Sequence, residues 1–238
     1  MRDLIDANLC LACGQDLRDN GVPYWARPRT AGPGDLLAET RRWLCPSCLA
    51  RLPYLEGNWS YLPYSQVPYA PVFDFAGPAR ELILGLKFSG KKAAAQVLAA
   101  FAVQKLQTLA YAPDYLVALP LHPMRERWRS YNQAQLITHA MAEYLDCSCL
   151  ENLLIRTRDT ATQSSLNGFK ARFRNLEGAF ALSEDPGRRL QGAKLLLIDD
   201  VLTSGASCLN ASRALLTSGA QVRVLCMAEQ AWEPARDF

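Results

Sequence analysis

Residues 195–207, LLLIDDVLTSGAS, set an unbroken apolar run before two adjacent carboxylates, Asp199 and Asp200, then place hydroxyls around a glycine. Such a run suits a parallel strand covered on both faces. In an open parallel sheet the ligand crevice lies beyond the carboxyl ends of the strands, which is where both acids fall. Thr203, Ser204, Gly205, Ala206 and Ser207 form the turn that opens the next helix. Backbone N–H groups at such a turn, with the positive end of a helix dipole behind them, cradle a phosphate. The hydroxyls of Thr203, Ser204 and Ser207 add donors, and Gly205 lets the backbone come close. The loop is not a Walker A motif, because no GxxxxGK(S/T) is present, and the dinucleotide fingerprint GxGxxG is absent too. The carboxylates can accept hydrogen bonds from a ribose diol, or hold Mg²⁺ directly or through water. A phosphate cradle a few residues from diol acceptors describes a ribose 5-phosphate.

Outward from this stretch, apolar runs alternate with helical periodicity. QVRVLCMA (221–228) reads as the last strand, and a helix runs from Ala206 to about Ser218 with Gly219 as its C′ residue. DYLVALP (114–120) is a short buried strand ended by Pro120, and LLIR and GAFAL are two more. NQAQLITHAMAEYLD (132–146) is a helix with Asn132 as N-cap and Leu136, Ile137, Ala140, Met141 and Tyr144 facing inward. Residues 76–110 read as two helices split near Ser89 and Gly90. In the second, Val97, Leu98, Phe101, Lys105 and Leu109 keep a period near 3.6, with Lys105 the one polar member. A strand is expected around Val72 to Phe75. The alternation predicts an α/β domain with a mostly parallel sheet and flanking helices.

Cysteines mark off the N-terminal part. Cys10 and Cys13 form CLAC, and Cys45 and Cys48 form CPSC. Two such knuckles aim four sulfurs at one point and close a tetrahedral thiolate site. Gly14 supplies the tight turn of the first knuckle. The expectation is a structural zinc that folds a segment too poor in apolar residues to fold alone. The division read from this is a zinc-binding segment over 1–55 and the α/β domain over 56–238. Cys147, Cys149, Cys208 and Cys226 read instead as small buried hydrophobes. The N-terminus, MRDLIDANLC, is not a secretory signal, and no stretch of about 18 apolar residues predicts a membrane span. The expectation is a cytosolic protein with reduced thiols. Of the 238 residues half are apolar, 21% are charged and the net charge is +3, a balance that does not by itself mark a nucleic-acid binder.

LLLIDDVLTSGAS resembles the phosphoribosyl-pyrophosphate (PRPP) motif of type I phosphoribosyltransferases. More narrowly, the N-terminal CxxC pairs, ALPLHPMRERWRSYNQAQ (118–135) and RTRDTATQSSLNGFKARFRNLEGAFAL (156–182) look like the ComF family of competence-associated proteins. The resemblance covers essentially the whole chain and implies a type I phosphoribosyltransferase-like fold with a small N-terminal zinc-binding segment. It departs from the family at two runs. The usual Arg-Gly-Phe-Asn-Gln is Arg129-Ser130-Tyr131-Asn132-Gln133 here, and the usual Thr-Thr-Gly-Ala-Thr loop is Thr203-Ser204-Gly205-Ala206-Ser207. The phosphate loop keeps a hydroxyl at both altered positions. Ser130 is the more consequential change, since a glycine there points to φ > 0 or close approach.

By the same resemblance, the turn with Arg125, Arg127 and Arg129, continued by Asn132 and Gln133, corresponds to the pyrophosphate loop. Residues 156–174 correspond to a hood over the substrate, with Gln163 and Arg172 as contacts. Mg²⁺ would accompany PRPP, with Asp199 and Asp200 holding the ribose during Mg-dependent transfer to an acceptor the sequence does not identify. His122 reads as a loop hydrogen-bonding group and His139 as structural. The resemblance also associates the chain with DNA uptake in natural transformation or with use of DNA as a nutrient. An alternative therefore keeps the pocket as a sensor or strut and makes single-stranded DNA the partner, with Trp128, Tyr131, Phe169 and Phe173 stacking bases among the arginines. A further alternative docks a helicase or channel protein of the uptake machinery near Trp25 and Trp43, which would bring a cytoplasmic protein to the inner face of the membrane through its partners.

Overall fold

The computed structural model of the protein describes residues 8–17, 36–121, 123–157, 169–183 and 186–230, without the side chains of residues 36–39, 123, 125, 169–172 and 187. In chain order the elements are α1 (Leu36–Trp43), α2 (Pro46–Ala50), β1 (Ser60–Tyr61), β2 (Pro68–Asp74), α3 (Gly77–Phe88), α4 (Ala94–Thr108), β3 (Tyr115–Ala118), α5 (Pro123–Arg129), α6 (Gln133–Leu145), β4 (Ser148–Cys149), β5 (Leu154–Arg156), α7 (Phe169–Leu176), β6 (Phe180–Leu182), β7 (Lys194–Leu202), α8 (Ala206–Leu216) and β8 (Gln221–Glu229). Six strands form one sheet in the order β1-β2-β8-β7-β3-β4. Only the β1–β2 pair is antiparallel; β2–β8, β8–β7, β7–β3 and β3–β4 are parallel. This is the mostly parallel α/β sheet with flanking helices that the alternation predicts.

The central strand explains the layering. Successive side chains of a strand point to opposite faces, so Leu195 and Leu197 enter one core and Leu196 and Ile198 the other. The first core lies under α8 with Val222, Val224 and Leu215. The second lies under α3, α4 and α6 with Phe73, Leu98, Ile137 and Met141. Both faces are covered, which is why the sequence reads as a continuous apolar run rather than an alternation. Helix α4 is buried nearly all round. Its inner Lys105 is 2% exposed and donates to the carbonyls of Leu55 and Gly57 at 2.6 and 3.0 Å, which offset the cost of burying its ammonium.

The structure departs from the sequence reading in several places. LLIR and GAFAL form strands, but among the described residues β5 and β6 pair only with each other, antiparallel. The arginine turn is a helix, α5. Ser148–Cys149, where no strand is expected from the sequence, is an edge strand of the main sheet. Helix α8 ends at Leu216 with Thr217 as C-cap, and Gly219 adopts its φ of +77° two residues further on. Among the described residues no helix is long and apolar enough to cross a membrane.

The two cysteine knuckles sit against this body. Gly14, at φ +75°, turns the first knuckle, and Cys45 caps α2 by accepting from the Cys48 amide. The Leu11 amide donates to the Trp43 carbonyl at 2.9 Å, and Lys91 Nζ donates to the Leu11 carbonyl at 2.8 Å. Cys10, Leu11, Leu44, Cys45 and Cys48 join the same apolar cluster as α3 and α4.

Candidate functional site

Strand β7 feeds α8 and then β8 on one side; β3 feeds α5, α6 and then β4 on the other. Connections that leave two neighbouring parallel strands in opposite directions open a crevice at their carboxyl ends. A cavity of about 370 Å³ lies there, lined by Leu119, Pro120 and Leu121 after β3 and by residues 199–208, from the end of β7 into the first turn of α8. Its rim carries Lys87, Arg129, Gln133 and Arg156.

The two acids diverge because the strand pleats. Asp199 faces the α8 side, and its Oδ2 accepts from the Cys208 thiol at 3.3 Å; its Oδ1 accepts from the Asp200 amide at 2.8 Å. Asp200, buried, faces α3 and α6. Lys87 Nζ lies 2.8 Å from its Oδ1, and Gln133 Nε2 donates to its Oδ2. Gln133 Oε1 accepts from Arg129 Nη1 at 3.0 Å, which completes a chain from α5 through α6 to β7. Burial, and then the charge of Asp200, push the Asp199 carboxyl up to about 7, against the pull of Lys87 and the two hydrogen bonds.

At the phosphate loop Gly205 is the N-cap of α8 with φ +76°. A Cβ there would stand 3.3 Å from Leu62 and from Pro63 of the β1–β2 hairpin, so both conformation and close approach call for glycine. The Thr203 side chain is exposed, Ser204 buried and Ser207 half-buried. The Ala206 amide lies 3.5 Å from Ser204 Oγ.

The structure gathers part of the residue set expected from the sequence. Asp199, Asp200, Thr203, Ser204, Gly205, Ala206, Ser207, Arg129 and Gln133 line one cavity. Asn132 stays apart: it caps α6 by accepting from the Ala134 amide at 3.0 Å and donates to the Leu119 carbonyl at 2.9 Å. Arg127 is exposed on α5 and does not line the cavity. Arg125 and Arg172 fall on α5 and α7, with side chains outside the described residues, and Gln163, Trp25 and His122 lie wholly outside them. His139 pairs with Glu151 at 2.9 Å on the surface. Of the aromatics, Tyr131 donates to the Leu86 carbonyl and Phe173 packs on the core; Trp128 is 69% exposed. Trp43 is half-buried against the core.

Two residues of the site were not singled out in the sequence. Lys87 reads as one charge at the end of an amphipathic helix, and Cys208 as a small buried apolar group. Only the fold shows one meeting Asp200 and the other Asp199.

The four N-terminal sulfurs lie within 4.8 Å of one another. Cys13 Sγ and Cys45 Sγ are 3.8 Å apart, the edge of a tetrahedron with zinc–sulfur bonds of about 2.3 Å. The Cys45 amide donates to Cys10 Sγ at 3.4 Å. Burial pushes the Cys10 and Cys48 thiols up. Without a cation, thiolates at these sites would be costly. The donor set fits a structural zinc, and all four corners are cysteine, which leaves no open position for chemistry.

No family model matches the chain. The chain is 33% identical over 202 residues to the DNA utilization protein YhgH of Escherichia coli (strain K12), covering 79% of this chain and 85% of that protein. It is 34% identical over 113 residues to the competence protein F of Haemophilus influenzae, covering 46% and 47%. Among solved structures, it is similar to the adenine phosphoribosyltransferase of Leishmania tarentolae at 15% identity, with a TM-score of 0.39 over 76% of this chain and 85% of that one.

Proposed function

The chain belongs to the ComF family of competence and DNA-utilization proteins, and we propose that it binds PRPP or a related ribose 5-phosphate in the crevice beyond β7 and β3. The observation that carries this reading is the joining of two kinds of group in one cavity. The Gly205 turn at the α8 N-terminus suits a phosphate, and the Asp199–Asp200 pair suits a ribose diol. Arg129 and Arg156 on the rim suit a second phosphate group. The names of the relatives support a role in taking up or consuming DNA.

If transfer takes place, the C1–oxygen bond to pyrophosphate breaks and a C1–nitrogen bond to the acceptor forms, with the acceptor's proton passing to solvent. Mg²⁺, when bound with PRPP, supplies charge neutralisation for the departing pyrophosphate. Asp199 and Asp200 orient the ribose as C1 gains positive character, and the rim arginines hold the leaving group.

The test is ribose 5-phosphate binding by calorimetry to wild type and Ser207→Glu. A glutamate in the first turn of α8 is compatible with the helix dipole yet repels a phosphate. The variant should melt no lower than wild type and bind at least about tenfold more weakly. Equal binding would place the phosphate elsewhere.

One observation favours a second reading, in which the pocket's lip holds single-stranded DNA. Trp128 and Phe88 are 69% and 57% exposed, with ring centroids 6.1 Å apart. The Arg129 guanidinium stands 4.9 Å over the Phe88 ring. Bases stack on exposed rings beside cations. Binding of an oligothymidylate that falls steeply with salt and weakens several-fold in Trp128→Ala supports it; salt-insensitive or Trp128-independent binding removes it.

A further inference from the structure

Lys87 is the penultimate residue of α3 and the only lysine lining the crevice among the described residues. Its ammonium is largely buried: the Lys87 and Asp200 side chains are 16% and 7% exposed, and their charged atoms meet at 2.8 Å. The other Asp200 oxygen takes the Gln133 amide, and both Asp199 oxygens take donors of their own, the Asp200 amide and the Cys208 thiol. Every carboxylate oxygen of the pair is thus already engaged from within the chain, and one full positive charge is in place. Mg²⁺ and Mn²⁺ favour oxygen sites of net negative charge, and the ammonium offsets one of the two carboxylates. A dication bound to Asp200 would also stand within a few ångströms of a largely buried ammonium, where the repulsion of like charges is only weakly screened.

We propose that Lys87 is a positioning residue, the resident counter-ion of the diol-binding carboxylates. It holds Asp200 aimed into the crevice and excludes a free divalent cation from the ligand-free protein. A metal then enters only on the phosphates of the ligand. Each Asp200 oxygen keeps a second lone pair, so a ribose hydroxyl can still donate to it with the ammonium in place. The part concerning ribose rests on the sugar-phosphate reading; the exclusion of cations does not.

The test uses the full chain, zinc-loaded, as wild type, Lys87→Met and Lys87→Arg, with Mn²⁺ titrated in the absence of any other ligand and free Mn²⁺ read by electron paramagnetic resonance. Wild type and Lys87→Arg should bind Mn²⁺ no tighter than millimolar beyond any surface background, and Lys87→Met at least about tenfold tighter. A second readout is metal-free ribose 5-phosphate binding, expected to weaken about tenfold in Lys87→Met and to be kept in Lys87→Arg. Unchanged Mn²⁺ affinity in a folded Lys87→Met overturns the proposal. So does tight Mn²⁺ binding by wild type that Asp200→Asn abolishes, a measurement that decides even if Lys87→Met does not fold. Failure of ribose 5-phosphate to bind wild type, with the Mn²⁺ contrast as expected, leaves the role of Lys87 standing and removes the sugar-phosphate reading instead.

Discussion

At the scale of single residues, Asp199 and Ser130 both carry costs that a substitution exposes. Asp199 has a folded-state pKa near 7 against an ordinary 3.8. Below 3.8 it is neutral folded or unfolded, and its contribution to stability is fully present. As pH rises toward 7 the unfolded chain gives up that proton first, so stability falls across this window. Asp199→Asn escapes the loss. By differential scanning calorimetry the ligand-free variant should melt above wild type near pH 8, by up to about 10 °C if the whole shift is recovered, with the gap closing toward pH 4. Ser130 follows α5 at φ +63°, with its amide donating to the Glu126 carbonyl at 2.7 Å. That is the left-handed cap position for which glycine is favoured, in keeping with the glycine that the family resemblance leads one to expect there. Ser130→Gly should raise the free energy of unfolding in urea by about 0.5–1 kcal/mol. The departure at residue 130 was visible in the sequence, but the left-handed backbone behind it was not. Asp199 and Asp200 were legible as a pair. That they point to opposite faces and meet Cys208 and Lys87 was not, since those partners lie 9 and 113 residues away along the chain.

At the scale of elements, legibility followed burial. β7 stands out as an unbroken apolar run covered on both faces, and α4 and α6 because their apolar residues keep the helical period. β4 and α5 do not, the first being two residues at a sheet edge and the second seven residues with a mostly exposed surface. The pairing of β5 with β6, apart from the main sheet, has no local signature in either strand. The knuckle segment was legible from its cysteine spacing alone, though not its attachment to the body through Lys91. We expect one zinc per chain by mass spectrometry. Chelation should lower the melting temperature by about 10 °C, the shift that roughly 3–5 kcal/mol produces in a chain of this size. Cys45→Ser should lose the metal and reproduce that shift. A melting temperature unmoved by complete zinc removal would show that the sulfurs pack without need of a cation.

At the scale of the whole molecule, the site is a consequence of topology. A parallel sheet whose β7 and β3 connections part company leaves its crevice where LLLIDDVLTSGAS ends. The α3 and α6 layer then brings Lys87 and Gln133 to it, and the β1–β2 hairpin closes on Gly205. The sequence carried the loop and the acids, but strand order is a matter of non-local pairing that no window of residues encodes. Calorimetric titration of PRPP with Mg²⁺ into zinc-loaded wild type and into the Asp199→Asn/Asp200→Asn double variant asks whether the crevice holds PRPP. We predict saturable micromolar binding at one site per chain, lost in the double variant. No heat of binding to a folded, zinc-loaded wild type, or equal binding by both proteins, would contradict the account.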